Sequence, residues 1–382
     1  MGYWKVFCGF GLFVVLASNV WSISRWNESR GVYDDICYLR QAHLFQKFGL
    51  DGFDTDISRD NDHYLTEKLK AINFPTWSDA KTAPCHTLMP VTGKRVMQYP
   101  PGTGLVLALF PRGSQVIPLY VLTSVVAFGF ALAAMVYASS LLSLVLVVVF
   151  GDAAIYLMIN PTKASYSMAP TMMVCALAGF LTAKLCVSAA PRHRLALTVP
   201  IGLLIGLSVN FRLANLFLAS GYFLLFLGAF LRARNRETLL QGLSFAATFA
   251  AGTVPTLFAN AINAGSPLST TYGSVDVMPP ELNADVLWAY FGDVQFLLLI
   301  IAGAWTALLW QLGSPVGNRQ VTLVVAGNLV VNLIFFMTHP VFTPYYMVPV
   351  AMLSLWTLLF ATLIPRREVI GDSLAFRQPV KA

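Results

Sequence analysis

The chain has 382 residues, of which 57% are hydrophobic and only 11% charged, with a mean hydropathy of +0.66 and a formal net charge of +7. That composition excludes an ordinary soluble globular enzyme and defines a membrane protein. No stretch alternates apolar and polar residues as an outer-membrane barrel strand would, so the expected fold is all-α and polytopic.

A bilayer core requires roughly 20 apolar residues per helix. About ten stretches qualify, at approximately 4–22, 116–138, 140–159, 168–187, 196–211, 214–231, 238–261, 287–311, 320–338 and 344–364. The first contains WKVFCGFGLFVVLASNVW, which is longer than the core of a secretory signal and reads as a retained span. Next comes 23–100, the one long hydrophilic region, holding ten of the 18 acidic residues and three of the five histidines. Pro75, Pro84, Pro90, Pro100 and Pro101 divide it into short pieces, expected to be interfacial helices joined by irregular chain. The best of these helices is YDDICYLRQAHLFQKFG at 33–49. Asp34 or Asp35 would cap it and Gly49 would stop it. Ile36, Leu39, Ala42 and Phe45, widened by Leu44 and Phe48, give an apolar side suited to lying along the membrane surface.

The shorter connections assign the sides. Lys5, then Arg192 and Arg194, then Arg232, Arg234 and Arg236, then Arg319, and finally Arg366 and Arg367 fall at alternate connections. Residues 262–286 and the connection around His339 contain no Lys or Arg, and 160–167 contains only Lys163. By the positive-inside rule both termini are expected in the cytoplasm, with a tail at 366–382, and 23–100 faces outward. The chain 1–382 then forms one integral membrane domain. Its positive charge follows from that topology and from attraction to an anionic inner leaflet, so it gives no reason to expect a nucleic-acid partner.

Chemistry on the outward side has few candidates. No Walker or dinucleotide glycine motif lies on a strand-to-helix turn. His43, His63 and His86 share the outer loop, but at no zinc-site spacing. No cofactor is expected, although a divalent ion held by Asp34 or Asp35 and a lipid phosphate is allowed. Cys8, Cys175 and Cys186 fall in spans as small packing residues. Cys37 and Cys85 both fall in the outer loop, where an oxidising compartment permits a disulfide and a reducing one leaves two thiols. Asp152 interrupts an apolar run and is a second-tier functional candidate on cost alone.

Four separated stretches carry a resemblance. Asp34, Asp35 and Tyr38 follow the first span; TGKRVMQYPPGTGLVLALF at 92–110 contains Tyr99 before a proline pair; SVNFRLANLFL at 208–218 places Arg212 between two spans; HPVFTPYYMVPV at 339–350 holds His339, Tyr345 and Tyr346. In order and spacing the chain resembles the membrane-embedded glycosyltransferases of the GT-C fold, relatives of protein mannosyltransferases and lipid A aminoarabinose transferases. It departs from many of them at NPTKASYSMAP, 160–170, which carries no acidic residue.

The resemblance implies an inverting transferase in a cell inner membrane. It would move a sugar from a polyprenyl-phosphate donor to a glycan, lipid or protein acceptor on the outward face. A carboxylate would take the acceptor's proton, with Asp34 the first choice and Asp35 the second. Tyr38, Tyr99, Lys163, Arg212, His339, Tyr345 and Tyr346 would bind substrate, the cations facing the leaving phosphate. A secondary transporter or a non-catalytic polytopic protein of lipid or glycan handling is the competing expectation.

Overall fold

The computed structural model describes residues 1–27, 33–157, 165–188, 190–272, 279–312, 316–339 and 341–364. Fourteen α-helices follow one another among the described residues: α1 Gly2–Ser24, α2 Tyr33–Phe48, α3 Tyr64–Ala71, α4 Gly102–Ala108, α5 Val116–Tyr137, α6 Leu141–Asp152, α7 Met168–Val187, α8 Pro191–Val209, α9 Ser220–Ala233, α10 Arg236–Ala264, α11 Ala284–Phe291, α12 Val294–Gln311, α13 Val316–Thr338 and α14 Val348–Leu363. Nine helical stretches are long and apolar enough to cross a membrane, counting the 3-10 turns Leu213–Ala219 as the start of the span that continues in α9. A tenth, Leu141–Tyr156, is shorter.

Sequence punctuation explains several helix starts. Ser140 and Ser143 form a reciprocal capping box that starts α6, and Pro191 occupies the first turn of α8, where its missing N–H costs nothing. The stretch expected as one span over 287–311 is instead two helices. Gly292 and Asp293 separate α11 from α12, and the Asp293 carboxylate accepts the Gln295 N–H to start the second. The outer loop also contains a small antiparallel pair, β1 His86–Leu88 with β2 Arg95–Met97, in register His86 to Met97. Its connection carries Gly93 at a φ of +67°, a conformation that favours glycine.

Small residues set the tightest helix contacts. Along α8, Gly202 and Gly206 face α10, and a Cβ at Gly206 would stand 2.2 Å from the Phe249 carbonyl oxygen. Backbones that approach this closely replace the hydrophobic drive that lipid cannot supply. Span α14 is apolar all round and buried from Val348 to Ala361, so other helices surround it.

Alternate connections meet at the same end of the bundle. At one end the Lys5 ammonium donates to the Val136 carbonyl at 3.1 Å, and the Arg194 guanidinium donates to Gln320 Oε1 at 3.2 Å. At the other end the outer loop meets the connections near 166, 210, 263 and 272.

The outer loop corrects the expectation for 33–49. Residues 35–45 of α2 are buried on every side, Arg40, Gln41 and His43 included, so the helix is enclosed by the loop and the span ends rather than lying with one face wet. Asp34 and Asp35 fall inside its first turn, not at its cap. Gly49 does end it, at a φ of +59°. Cys37 and Cys85 are joined by a disulfide that ties α2 to the segment before β1.

Candidate functional site

The outer loop is fixed before the site is built. Arg40, fully buried, donates through Nη1 to the Thr55 carbonyl and through Nη2 to the Asp56 carbonyl, both at 2.9 Å. Its Nη1 also lies 3.0 Å from His86 Nε2, and Nε faces Asp60 at 3.9 Å. His86 Nδ1 is 2.7 Å from the Pro84 carbonyl, so that nitrogen carries the proton and Nε2 accepts from Arg40. Burial, and then the guanidinium, push the His86 pKa down to about 3, and burial brings Arg40 down to about 10. On the other side of α2, Asp62 accepts from His43 and Lys47 at 2.8 and 3.1 Å. Those two partners outweigh burial and hold the Asp62 carboxyl down at about 2.

Two asparagines join this loop to the membrane spans. Asn263, near the end of α10, donates to the Phe53 carbonyl at 2.8 Å and accepts the Thr55 N–H at 3.0 Å. Asn210, just beyond α8, bridges a weak step of α10 next to Pro255. Its amide donates to the Gly252 carbonyl at 2.7 Å, and its Oδ1 accepts the Thr256 N–H at 2.9 Å. A proline removes a donor and displaces a turn, so a side chain that supplies both partners restores the accounting.

These joints bring the separated motifs together. The Gly102 N–H donates to the Asn210 carbonyl at 2.7 Å, and the Thr103 hydroxyl donates to the Phe211 carbonyl, so the YPPG and SVNFR stretches are in direct contact. A Cβ at Gly102 would fall 2.7 Å from Asn210 atoms, which is why glycine stands there. Gly104 meets Gln41 of α2 in the same manner. The rings of Tyr38 and Tyr99 stack at 5.0 Å, and Tyr272 approaches Tyr99 edge-on at 6.2 Å.

Arg212 stands at the centre. Its guanidinium lies 3.5 Å from the centroid of Tyr346 and 5.1 Å from that of Tyr345. Among the described residues no carboxylate comes within salt-bridge distance of it. Burial works against the charge, but Tyr346, Tyr345, Tyr38 and Tyr272 around it prevail and move its pKa upward, so it is a permanent cation. Tyr290 of α11 fixes the approach of Tyr345 and Tyr346, accepting the Thr343 N–H at 3.2 Å and donating to the Val341 carbonyl at 3.3 Å.

Asp35 borders the same cluster. It is 2% exposed, and its Oδ1 accepts the Tyr166 N–H at 3.0 Å, two residues before α7 begins. Tyr120 of α5 donates its hydroxyl to the Ser165 carbonyl at 3.3 Å, beside the same connection.

The expected site residues therefore divide. Asp35, Tyr38, Tyr99, Arg212, Tyr345 and Tyr346 gather at one end of the bundle. His339 stacks on Phe335 one turn back along α13, at 5.6 Å. Lys163 and the side chain of Asp34 lie outside the described residues. Arg40 and Lys94, two further cations of the 23–100 region, are engaged in the loop itself, Lys94 with Asp54 at 3.0 Å. Asp152 sits in the last turn of α6, its Oδ1 buried without a hydrogen-bond partner. Among the described residues no three His, Cys, Asp or Glu side chains gather as a metal site would require. Tyr272, Tyr290 and Asn210 were not singled out by sequence. Asn210 was findable, two residues before Arg212; Tyr272 and Tyr290 carry no local signal, because only the folded connections bring them near.

The spans and this polar outer layer define an all-α, multi-pass membrane protein. Comparison with known proteins finds no matching family model, no matching curated protein and no matching solved structure. Chemically, a cation wrapped in aromatic faces and lacking a carboxylate partner is suited to an anion, and tyrosine rings and hydroxyls are suited to a sugar.

Proposed function

We propose that the protein is a membrane glycosyltransferase that takes a sugar from a polyprenyl-phosphate donor on the outward face, with inversion at the anomeric carbon. The observation that carries this reading is Arg212, a cation held by Tyr345 and Tyr346 with no carboxylate partner among the described residues, at the membrane-span ends. A lipid phosphate would arrive at that depth. Arg212 would hold it and stabilise the charge that develops on its oxygens as the sugar leaves. Tyr38, Tyr99 and Tyr272 would line the sugar.

In this reading Asp34 is the base, taking the acceptor hydroxyl's proton as its oxygen attacks the anomeric carbon from the face opposite the phosphate. Asp35 is the second choice. Its Oδ1 already accepts the Tyr166 N–H, a role that positions α2 against the start of α7. The orientation supporting this reading is the arginine-rich character of the opposite connections, Arg192, Arg194, Arg232, Arg234, Arg236 and Arg319.

The test is transfer from a panel of radiolabelled polyprenyl-phosphate sugars by purified wild type, Asp34→Asn, Asp35→Asn and Arg212→Gln, with membrane acceptors restored. The reading requires transfer by the wild type, its loss in Asp34→Asn with donor binding retained, and donor affinity about 10- to 100-fold weaker in Arg212→Gln, the range for one charge-assisted contact. Absence of donor binding and transfer across the panel would return the protein to the transporter and scaffold classes.

A further inference from the structure

Helix α11 has two faces with different partners. Val286, Leu287 and Tyr290 turn inward, and Tyr290 is wholly buried. Trp288 and Phe291 turn outward, 74% and 55% exposed. With Val294, Leu297 and Ile301 of α12 they make one exposed apolar series at every third or fourth position, carried through the break at Gly292 and Asp293. The α12 part of the series lies on a span, where lipid covers it. Continuity of the face gives α11 the same partner, and tryptophan suits the membrane boundary.

Hydrogen bonds lead from the buried face to Arg212. Residues 341–343 join α13 to the 3-10 turn Pro344–Met347. The Tyr290 hydroxyl accepts the Thr343 N–H at 3.2 Å and donates to the Val341 carbonyl at 3.3 Å, while its ring meets Phe342 edge-on at 4.9 Å. The Thr343 carbonyl in turn accepts the Tyr346 N–H at 3.0 Å. That turn presents Tyr345 and Tyr346 to the guanidinium of Arg212. A binding group works only if its support is held to within about 0.5 Å. Arg212 has no carboxylate among the described residues to hold it instead.

We infer that Tyr290 is a positioning residue for Arg212. Seated against lipid by Trp288 and Phe291, α11 uses the Tyr290 hydroxyl to hold the aromatic turn against the guanidinium, and so sets the affinity of Arg212 for an anion. Its bearing on sugar transfer rests on the glycosyl-transfer reading; its bearing on the geometry of Arg212 does not.

NMR of isotope-labelled arginines in the full chain, in phosphatidylcholine nanodiscs, reads that geometry, because the face of Tyr346 moves the Arg212 Nε–H signal upfield. Arg212→Gln identifies the signal by removing it. Tyr290→Phe keeps the ring and removes only the hydroxyl. It is expected to fold, to return the Arg212 signal towards those of the other arginines, and to weaken binding of dodecyl phosphate about three- to tenfold, the range for a lost hydrogen bond. Because the hydroxyl acts through Arg212, adding Tyr290→Phe to Arg212→Gln should weaken binding no further. Trp288→Gln should move signal and affinity in the same direction, and brominated phosphatidylcholine should quench tryptophan fluorescence less in Trp288→Phe than in the wild type. An unmoved arginine signal in Tyr290→Phe, or losses that add in the double variant, would overturn the positioning role. A Trp288→Gln protein indistinguishable from wild type would overturn the lipid seat. Size-exclusion profiles and melting temperatures report folding, and Trp288→Gln decides the coupling should Tyr290→Phe not fold. If the wild type binds no dodecyl phosphate, the anion-binding reading of Arg212 falls, and the arginine signal still decides the role of Tyr290.

Discussion

Arg40 and Arg212 are two arginines held in the same outer layer, and they differ in what surrounds them. Arg40 is sealed in, both of its terminal nitrogens donating to backbone carbonyls and one of them meeting His86. Arg212 stands against the faces of Tyr345 and Tyr346 with its hydrogen-bonding capacity unspent on a carboxylate. A buried charge is tolerated when most of its donors are satisfied and a counter-charge is near; Arg40 has both terminal nitrogens bonded and its Nε, which makes no hydrogen bond, facing Asp60 at 3.9 Å, so the fold alone explains it. Ring faces answer the charge of Arg212 but leave its fork of N–H groups available, which is the condition for binding an anion. The same residue type is a structural rivet in one place and a candidate binding group in the other, and the kind of partner is what separates them.

The comparison is broken most forcefully at Arg40. Arg40→Met should leave the Thr55 and Asp56 carbonyls and His86 unpaired and cost about 3–5 kcal/mol, the range for removing one member of a buried charged network. Hydrogen exchange should show residues 33–99 losing protection; an unchanged pattern would mean that the network holds nothing. The disulfide comes next. Cys37→Ser with Cys85→Ser releases a 48-residue separation and should cost about 2–4 kcal/mol, read as a lower melting temperature that added reductant no longer shifts.

Arg212 sharpens the contrast from the other side. Arg212→Gln removes ring contacts but no hydrogen bond to a carboxylate, so the empty protein should lose about 1–2 kcal/mol, read from its melting temperature, less than Arg40→Met, although anion affinity falls. The double comparison fails if Arg212→Gln destabilises the protein as strongly as Arg40→Met does.

Acid acts on the Arg40 side of the comparison through His86. Its folded pKa, about 3, lies below the ordinary value of 6.5, so between those limits the unfolded chain binds the extra proton. Stability from this group is therefore complete above about pH 6.5 and falls as the pH drops towards 3, by on the order of 1 kcal/mol per pH unit. Asp62 adds to the loss only below its ordinary value of 3.8, as the pH nears its folded pKa of about 2. Melting curves between pH 7 and 5 report the buried histidines together, because burial also lowers the His43 pKa, and the His86→Gln variant separates the His86 share. His86→Gln should reduce the slope there, leaving the His43 contribution, and a slope that persists unchanged would assign acid sensitivity elsewhere.

Much of this molecule is legible along the chain. Spans appear as apolar runs because lipid obliges each helix to satisfy its own backbone, a local requirement visible in local composition. The 23–100 loop stands out by its acids, whereas Tyr38, Tyr99, Arg212, Tyr345 and Tyr346 stand out through the stretches that carry the resemblance. The boundary at Gly292 and Asp293 was missed because α11 is itself apolar, and hydropathy averages across a cap. The surface position expected for α2 failed for a related reason: an apolar stripe identifies one buried face, and Arg40, Gln41 and His43 on the others look wet until their partners are known.

What the sequence by itself determined is the class of protein, the approximate spans, and a short roster of polar residues near the span ends. Tertiary structure alone decided that α2 is enclosed, that Asn210 repairs the step beside Pro255, and that one arginine is tied to backbone carbonyls and an acid while another meets ring faces. The physical reason is range. Transfer into lipid is close to a sum over neighbouring residues, whereas hydrogen-bond satisfaction depends on groups such as Thr55 and Asn263, which lie 208 positions apart in the chain and meet only when it folds.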